Sequence, residues 1–344
     1  MTESLLELDG SFGEGGGQIL RTSLALSLLT GRGFHLRNVR AGRPKPGLQP
    51  QHLQSVRAAS MIGKAQTRGA SRGSSDLVFE PGPVTPGHYR FDIGTAGATG
   101  LVLHTVYLPL ALCDTGPSEV TLVGGTHVRT SPSFHFLDVT WRRYLAACGL
   151  DVSLKLVRPG FYPRGGGEVR AFIQPCAGVR NLTLREHGPL RATGFSAVAG
   201  LPEAIARRQA RRARFRLEQH EIEVELEEQT WEGGPGTVVG IELNTAPAPT
   251  LFFAIGERGK PAERVADEAA DQVLAYLAAA PNLVDAHSAD QLVLPLALAA
   301  GPSEYRVAEV TRHLTTNIDV IRHFLDRKIE WEGEEGGPGV VWIH

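Results

Sequence analysis

The run Gly13-Glu-Gly-Gly-Gly-Gln-Ile-Leu-Arg21 constrains the chain more than any other stretch, because it places a flexible backbone directly against a helix start. Gly15, Gly16 and Gly17 can adopt backbone angles closed to other residues, so their N–H groups can point into one concavity. From Gln18 the apolar residues Leu20, Leu24 and Leu28 recur at helical spacing up to Gly31. The positive end of that helix then faces the loop, with Arg21 in its first turn. A turn of this kind suits either a tight connection or a phosphate cradle. It matches neither common phosphate motif: no Gly-Lys-Ser/Thr ending follows, and Gln18 stands where the dinucleotide fingerprint has its third glycine. Glu14 would repel a phosphate unless a divalent cation lay between them, which points to a metal-bound nucleotide.

Related turns return along the chain. Arg164-Gly-Gly-Gly-Glu168 leads into a strand expected over 169–173, and Gly94-Thr-Ala-Gly-Ala-Thr-Gly100 leads into an apolar helix expected over 101–112. The second of these fits a further ligand contact and close helix packing equally. Trp231-Glu-Gly-Gly-Pro-Gly and Trp331-Glu-Gly-Glu-Glu-Gly-Gly-Pro-Gly open two more turn-and-strand pairs, without one fixed period. The pattern predicts an α+β protein of related units, with helices covering one face of each sheet.

Between the first helix and the second glycine entry lies a strand expected over 34–40 and a stiff basic loop. Arg37, Arg40, Arg43 and Lys45 put four positive charges within nine positions, and Pro44 and Pro46 restrict the backbone of the loop. A helix expected over 51–62 brings its N-terminus and the Gln51 amide beside the arginines. Ser131-Pro132 predicts a helix start, with Ser131 as cap and the helix running to Cys148, and Phe134 and Phe136 are expected to pack. From 181 to 280 the composition shifts to an Arg-dense helix over 204–219, an acidic strand over 221–228 and an Ala-rich helix over 261–279. This stretch reads as an inserted module whose charges form a solvated face, although Arg207, Arg208, Arg211 and Arg212 could touch a polyanion. A helix over 289–298 and a strand over 304–310 follow.

His313 is then expected between that strand and a helix capped by Thr315 or Thr316. Neutral imidazole is nucleophilic near pH 7, and the N–H groups of a helix start would stabilise charge on a phosphoryl oxygen. The chain has twelve histidines but no His-Glu-x-x-His pattern for a zinc hydrolase. His313-Leu-Thr315 has no second histidine of its kind to complete a two-histidine phosphoesterase.

Composition excludes several classes. A length of 344 residues suits about two domains. Hydrophobic content of 42%, charged content of 21% and a net charge of −2 describe a globular chain that is not globally basic, so any nucleic-acid contact must be local. Cys113, Cys148 and Cys176 lack metal spacing and are odd in number, which favours a reducing cytoplasm. There is no basic-then-apolar leader and no apolar run of about 18 residues, so no membrane role is expected.

Five motifs in order resemble the RNA 3′-terminal phosphate cyclases: Gly13–Arg21, Arg40-Ala-Gly-Arg-Pro-Lys-Pro-Gly-Leu48, Gln51-His-Leu53, Ala289-Asp-Gln-Leu-Val-Leu-Pro295 and His313-Leu-Thr-Thr-Asn-Ile318. The resemblance runs from about Leu5 to the C-terminus. It implies a large domain of repeated four-stranded-sheet, two-helix units over 1–180 and 281–344, like the C-terminal domain of a bacterial translation initiation factor. A smaller inserted α/β domain would occupy 181–280. It also implies an ATP-dependent conversion of an RNA 3′-phosphate into a 2′,3′-cyclic phosphate, releasing AMP and pyrophosphate. In that reaction His313 would carry AMP, and Glu14 would hold a divalent metal, Mg²⁺ or Mn²⁺, against the ATP phosphates. Arg21, Arg40, Arg43 and Gln51 would clamp the RNA phosphate, while His104, Pro132, His287, Asp290 and Gln291 match nucleotide-site positions. His104 replaces a glutamine and His287 a tyrosine of the family pattern. If His104 contacts ATP, binding is expected to weaken as pH falls through the histidine range; if it only packs, no such dependence follows. RNA 3′-phosphate ends are the implied partner, with no obligatory protein partner. The alternative is a non-catalytic, RNA-binding ribosome-assembly factor, a branch that lacks the histidine.

Overall fold

The computed structural model describes residues 4–184, 191–279 and 283–344. Its first unit comprises β1 (Leu6–Asp9), α1 (Gly17–Thr30), β2 (Phe34–Arg37), α2 (Pro50–Ile62), β3 (Gln66–Arg68) and β4 (Leu77–Glu80), with strand order β1-β2-β4-β3. α1 carries the chain back so that β1 and β2 run parallel, whereas β4 lies antiparallel to both β2 and β3. Leu20, Leu24 and Leu28 of α1 are buried, as their spacing predicts. Gly31 ends this helix at a left-handed φ of 74°, which lets its N–H reach Ser27. β2 stops at Arg37, three residues before the expected limit, because Asn38 and Arg40 take positive φ and turn the chain out of the sheet.

The second unit repeats the topology with β5 (His88–Asp92), α3 (Thr99–Ala111), β6 (Ser118–Gly124), β7 (Val152–Arg158) and β8 (Gly167–Ile173), in the order β5-β6-β8-β7. Its second helix is broken into α4 (Phe134–Phe136), a π-helical turn (Leu137–Trp141) and α5 (Arg142–Ala147). The expected cap is corrected from Ser131 to Ser133. The Ser133 hydroxyl accepts from Phe136 N–H, whereas that of Ser131 donates back to Val128. Phe134 and Phe136 are buried, as expected.

A separate four-stranded sheet follows, ordered β10-β9-β11-β12, from β9 (Ala192–Ala199), β10 (Val224–Trp231), β11 (Gly236–Leu243) and β12 (Thr250–Ile255). α6 (Glu203–Glu218) and α7 (Ala262–Ala279) pack against it around an apolar cluster that includes Leu217, Val239, Ile241 and Val273. The acidic strand starts at Val224 and not at Glu221, because Glu221 sits at φ 60° in the turn that ends α6. Arg208 and Arg212 are neutralised by Glu263 and Asp267, each arginine making two hydrogen bonds to its carboxylate, so the arginine row is largely a helix-to-helix seam. Phe195, Ala197, Val238 and Leu251 face the other way, into the core shared with the first two units.

The last unit contains α8 (Ala286–Ala297), β13 (Ser303–Val307), α9 (Arg312–Phe324), β14 (Ile329–Gly333) and β15 (Gly339–Ile343). Its sheet has three strands, β13-β15-β14, where the resemblance implied four. The missing edge is supplied in two pieces: Thr183 pairs parallel with Glu304, and Val284 pairs parallel with Val307. The segment that forms the separate sheet leaves the chain between these two pieces. Helix α8 starts at Ala286, three residues earlier than expected, because the Asp285 carboxylate accepts from the N–H groups of His287 and Ser288.

Candidate active site

α1 and α9 lie side by side and bring the two ends of the chain together. Thr311 caps α9 by accepting from Leu314 N–H, so His313 stands inside the first helical turn and not ahead of it. Thr315 and Thr316 are not the caps. Thr315 donates to Arg312 O, and the Thr316 hydroxyl accepts the Glu14 N–H at 3.2 Å, tying the glycine loop to this helix.

Glu14 is the pivot of the site, with its side chain only 7% exposed. Its Oε2 lies 3.1 Å from His313 Nδ1 and 2.8 Å from Arg43 Nη2. A carboxylate accepts and cannot donate, so Nδ1 carries the proton and Nε2 of neutral His313 holds a free lone pair. The His313 side chain is half exposed, and Nε2 has no partner among the described residues. Burial, helped by Arg21, Arg43 and His287 and opposed by Glu14, lowers the His313 pKa. The ring is therefore neutral at pH 7.

The glycines are required for two different reasons. Gly13 and Gly15 take left-handed φ values of 57° and 56°. Gly16 and Gly17 do not, and matter because side chains close over them. A methyl group at Gly17 would stand 2.5 Å from His52 Nε2 and 2.8 Å from Arg21 Nη1, and one at Gly16 would stand 2.6 Å from Arg43 Nη2 and meet Glu14 Oε1. His52 Nδ1 accepts from Gln49 N–H, which leaves Nε2 as a donor. Donors from α1, α2 and the basic loop thus converge over the glycines, as an anion requires. Arg21 is buried, and burial lowers its pKa to about 10 against the pull of Glu14 and Asp290, so it stays charged.

Arg40 acts on the loop itself, donating to Lys45 O and Gly47 O at 2.5 and 3.0 Å. Gln51 reaches across to α3, where its Oε1 accepts from Ala98 N–H at 3.2 Å. Among the described residues no three His, Cys, Asp or Glu side chains gather as a metal cage. Neither contact of Glu14 uses Oε1, so the donor set fits a cation held mainly by nucleotide phosphates and water.

With this geometry established, comparison with known proteins places the chain. The sequence pattern of the family described as RNA 3′-terminal phosphate cyclase matches residues 12–331. The chain belongs to this family. The RNA 3′-terminal phosphate cyclase of Salmonella typhimurium is 43% identical over 336 residues, covering 97% of each chain. That of Ralstonia nicotianae is 45% identical, covering 96% of this chain and 94% of its own, and that of Caldivirga maquilingensis is 40% identical, covering 95% and 94%.

The five residues that the resemblance assigns to the nucleotide divide into two groups. His104, Asp290 and Gln291 line a small pocket of about 30 Å³ with Arg21, Trp141 and Asn317, a volume suited to one or two waters. His104 Nε2, Asp290 Oδ1 and Gln291 Oε1 are buried there without partners among the described residues. Burial and Arg21 depress the His104 pKa to about 3, so its ring is neutral near pH 7. Burial, reinforced by Asp285, pushes Asp290 up to about 8. Pro132 and His287 lie outside that cavity; His287 is exposed, with its ring edge-on to Phe136 at 6.0 Å.

Sequence reasoning assigned no role to His52, Gln18 or Asn317. Asn317 Oδ1 accepts from Thr22 and from Gln18 Nε2, its Nδ2 donates to Asp290 O, and Gln18 Oε1 accepts from Arg21. The signal was present in the motifs themselves: Gln18 replaces a glycine, and Asn317 lies one helical turn beyond His313.

Proposed function

We propose that this chain converts an RNA 3′-terminal phosphate into a 2′,3′-cyclic phosphodiester at the expense of ATP. The observation that carries this reading is the Glu14 contact to His313 Nδ1, which frees Nε2 beside a set of arginines. His313 Nε2 attacks the α-phosphorus of ATP, forming a P–N bond as the bond to pyrophosphate breaks. An oxygen of the RNA 3′-phosphate then attacks the same phosphorus, forming a P–O–P link as the P–N bond breaks. The ribose 2′-OH finally attacks the RNA phosphorus, loses its proton and displaces AMP. The last step gains from proximity, since nucleophile and phosphorus share one ribose.

Arg21, Arg43 and His52 supply donors for the RNA phosphate, the arginines through forked hydrogen bonds, with Arg40 stiffening the loop that carries Arg43. The Gln51 Nε2 belongs to the same clamp. His104, Asp290 and Gln291 back the nucleotide side from behind Arg21, and Pro132 and His287 flank the base. Glu14 Oε1 is the proposed metal ligand, and a bound Mg²⁺ or Mn²⁺ would neutralise charge on the ATP phosphates. Residues 181–280 are proposed as an inserted domain in a body formed by 1–180 and 281–344, a division supported by their separate sheet and apolar cluster. A reducing compartment, the cytoplasm, suits the three unpaired cysteines. No helix among the described residues is long and apolar enough to cross a membrane.

Incubation with ATP labelled at the α-phosphate tests the reading. The wild type is expected to retain label through denaturation, and His313→Ala to retain none while keeping its fold and thermal midpoint. Label on a folded His313→Ala protein would reject the mechanism.

A further inference from the structure

Phe12 stands in the turn that delivers Glu14 to His313, and its ring takes no part in holding that turn together. The rest of the turn is engaged. The Asp9 carboxylate accepts from Ser11 N–H at 2.9 Å, from the Ser11 hydroxyl at 2.7 Å and from Asn38 Nδ2 at 3.1 Å, which fixes the entry. Gly15 N–H closes the turn by donating to Phe12 O at 2.9 Å, and Glu14 N–H ties it to α9 through Thr316. Gly13 and Gly15 supply its left-handed angles. The Phe12 side chain, by contrast, is 53% exposed, joins neither apolar cluster and has no aromatic partner among the described residues. A pinned backbone thus presents a flat apolar face that loses little conformational freedom on contact.

The place of the turn decides what that face can meet. A Cβ on Gly15 would stand 3.4 Å from Ser11 O and 3.1 Å from Gly42 Cα, so the start of the turn and the basic loop come together over one glycine. Arg43, the next residue of that loop, reaches Glu14 two positions after Phe12. Pro132 and His287, assigned to the ATP base, belong to other elements, the loop before α4 and the first turn of α8. We infer that Phe12 is the stacking face for the base of the RNA 3′-terminal nucleotide, a role that rests on the cyclase reading. Base and 3′-phosphate share one ribose, so a phosphate held by Arg43 and Arg21 brings its own base to this side of the site. A phenyl ring offers no hydrogen-bond readout; it accepts every base and favours purines only through their larger faces.

The test uses fluorescent 3′-phosphorylated RNAs that are identical except for a terminal adenosine, uridine or abasic ribose, with affinities read by anisotropy on the full-length protein. The wild type is expected to bind the adenosine-ended RNA about fivefold or more tightly than the abasic one, with uridine between them. Phe12→Ala should bring all three to the affinity of the abasic RNA. Phe12→Tyr should keep the order, whereas Phe12→Leu, apolar but not flat, should lose it. Equal wild-type affinities, or an order that survives in Phe12→Ala, would overturn the assignment. So would a loss on the abasic RNA as large as on the others, which would leave Phe12 only a part of the turn. A raised ATP concentration for half-maximal labelling in Phe12→Ala, with the RNA order intact, would give the ring to the adenine and reject the proposal. Absence of cyclic product from every RNA in the wild type, with the affinity order intact, would instead remove the cyclase reading and leave the stacking face standing.

Discussion

His313 reacts only when Nε2 is unprotonated, and burial lowers its pKa below the ordinary histidine value of about 6.5. The single-turnover rate of self-adenylylation is therefore expected to decline in acid solution along a limb centred below about 6.5. The Glu14 carboxylate raises this pKa, so Glu14→Gln should move the acid limb further down while also slowing the plateau. A limb centred at or above 6.5 in the wild type would contradict the burial argument. His104 behaves differently, because its pKa near 3 keeps the ring neutral across the working range. ATP binding by His104→Gln and wild type, each in a His313→Ala background, should give superimposable pH profiles between about 5.5 and 8. Asp290 carries the opposite sign. Its pKa is raised to about 8 from 3.8, so the folded state holds a proton that the unfolded state releases. Stability is lost as pH rises from about 4 to 8, and Asp290→Asn should gain relative to wild type over that window in urea titrations.

At the scale of elements, α9 is both the carrier of the nucleophile and the brace of the site. Asn317 is 2% exposed, and its side chain touches α1 through Thr22 and Gln18 and α8 through Asp290 O. Removing it strands buried polar groups on two neighbouring helices. Asn317→Ala is expected to cost about 2 kcal/mol or more of stability and, through Gln18, to loosen Arg21 and weaken RNA phosphate binding. If a Gln18→Ala, Asn317→Ala cycle showed additive effects on RNA affinity, the chain of contacts to Arg21 would not operate. The sequence made much of this architecture readable, because α1, α2 and α3 announce themselves by apolar spacing behind glycine or proline. It could not show the Glu14 contact to His313, since the two residues lie at opposite ends of the chain and only the packing of α1 on α9 joins them. Caps were misplaced for a local reason. Ser131 and Ser133 are both good candidates, as are Thr311, Thr315 and Thr316, and the choice among them depends on tertiary contacts such as the one from Glu14 N–H to Thr316.

Over the whole molecule, the decisive feature is where the separate sheet enters. Thr183 pairs with Glu304 and Val284 with Val307, so Val284 occupies the place that the third residue after Thr183 would take in an unbroken strand. The hydrogen bonds agree: Leu184 N–H reaches Glu304 O, and Val284 N–H reaches Arg306 O, two residues further along β13. Joining Leu184 directly to Leu283 would thus restore one continuous strand in register and complete a four-stranded sheet like those of the first two units. The deletion is not neutral, because Phe195, Ala197, Val238 and Leu251 pack into the shared core, and His135 stacks on Trp231 with ring centroids 5.1 Å apart. The shortened protein is expected to unfold cooperatively with a lower midpoint, since the two small sheets and the restored third each keep their own helices. Thermal unfolding followed by circular dichroism measures this outcome. A shortened protein without a cooperative transition would mean that residues 185–282 are integral to the main body and not an insertion into a self-sufficient one.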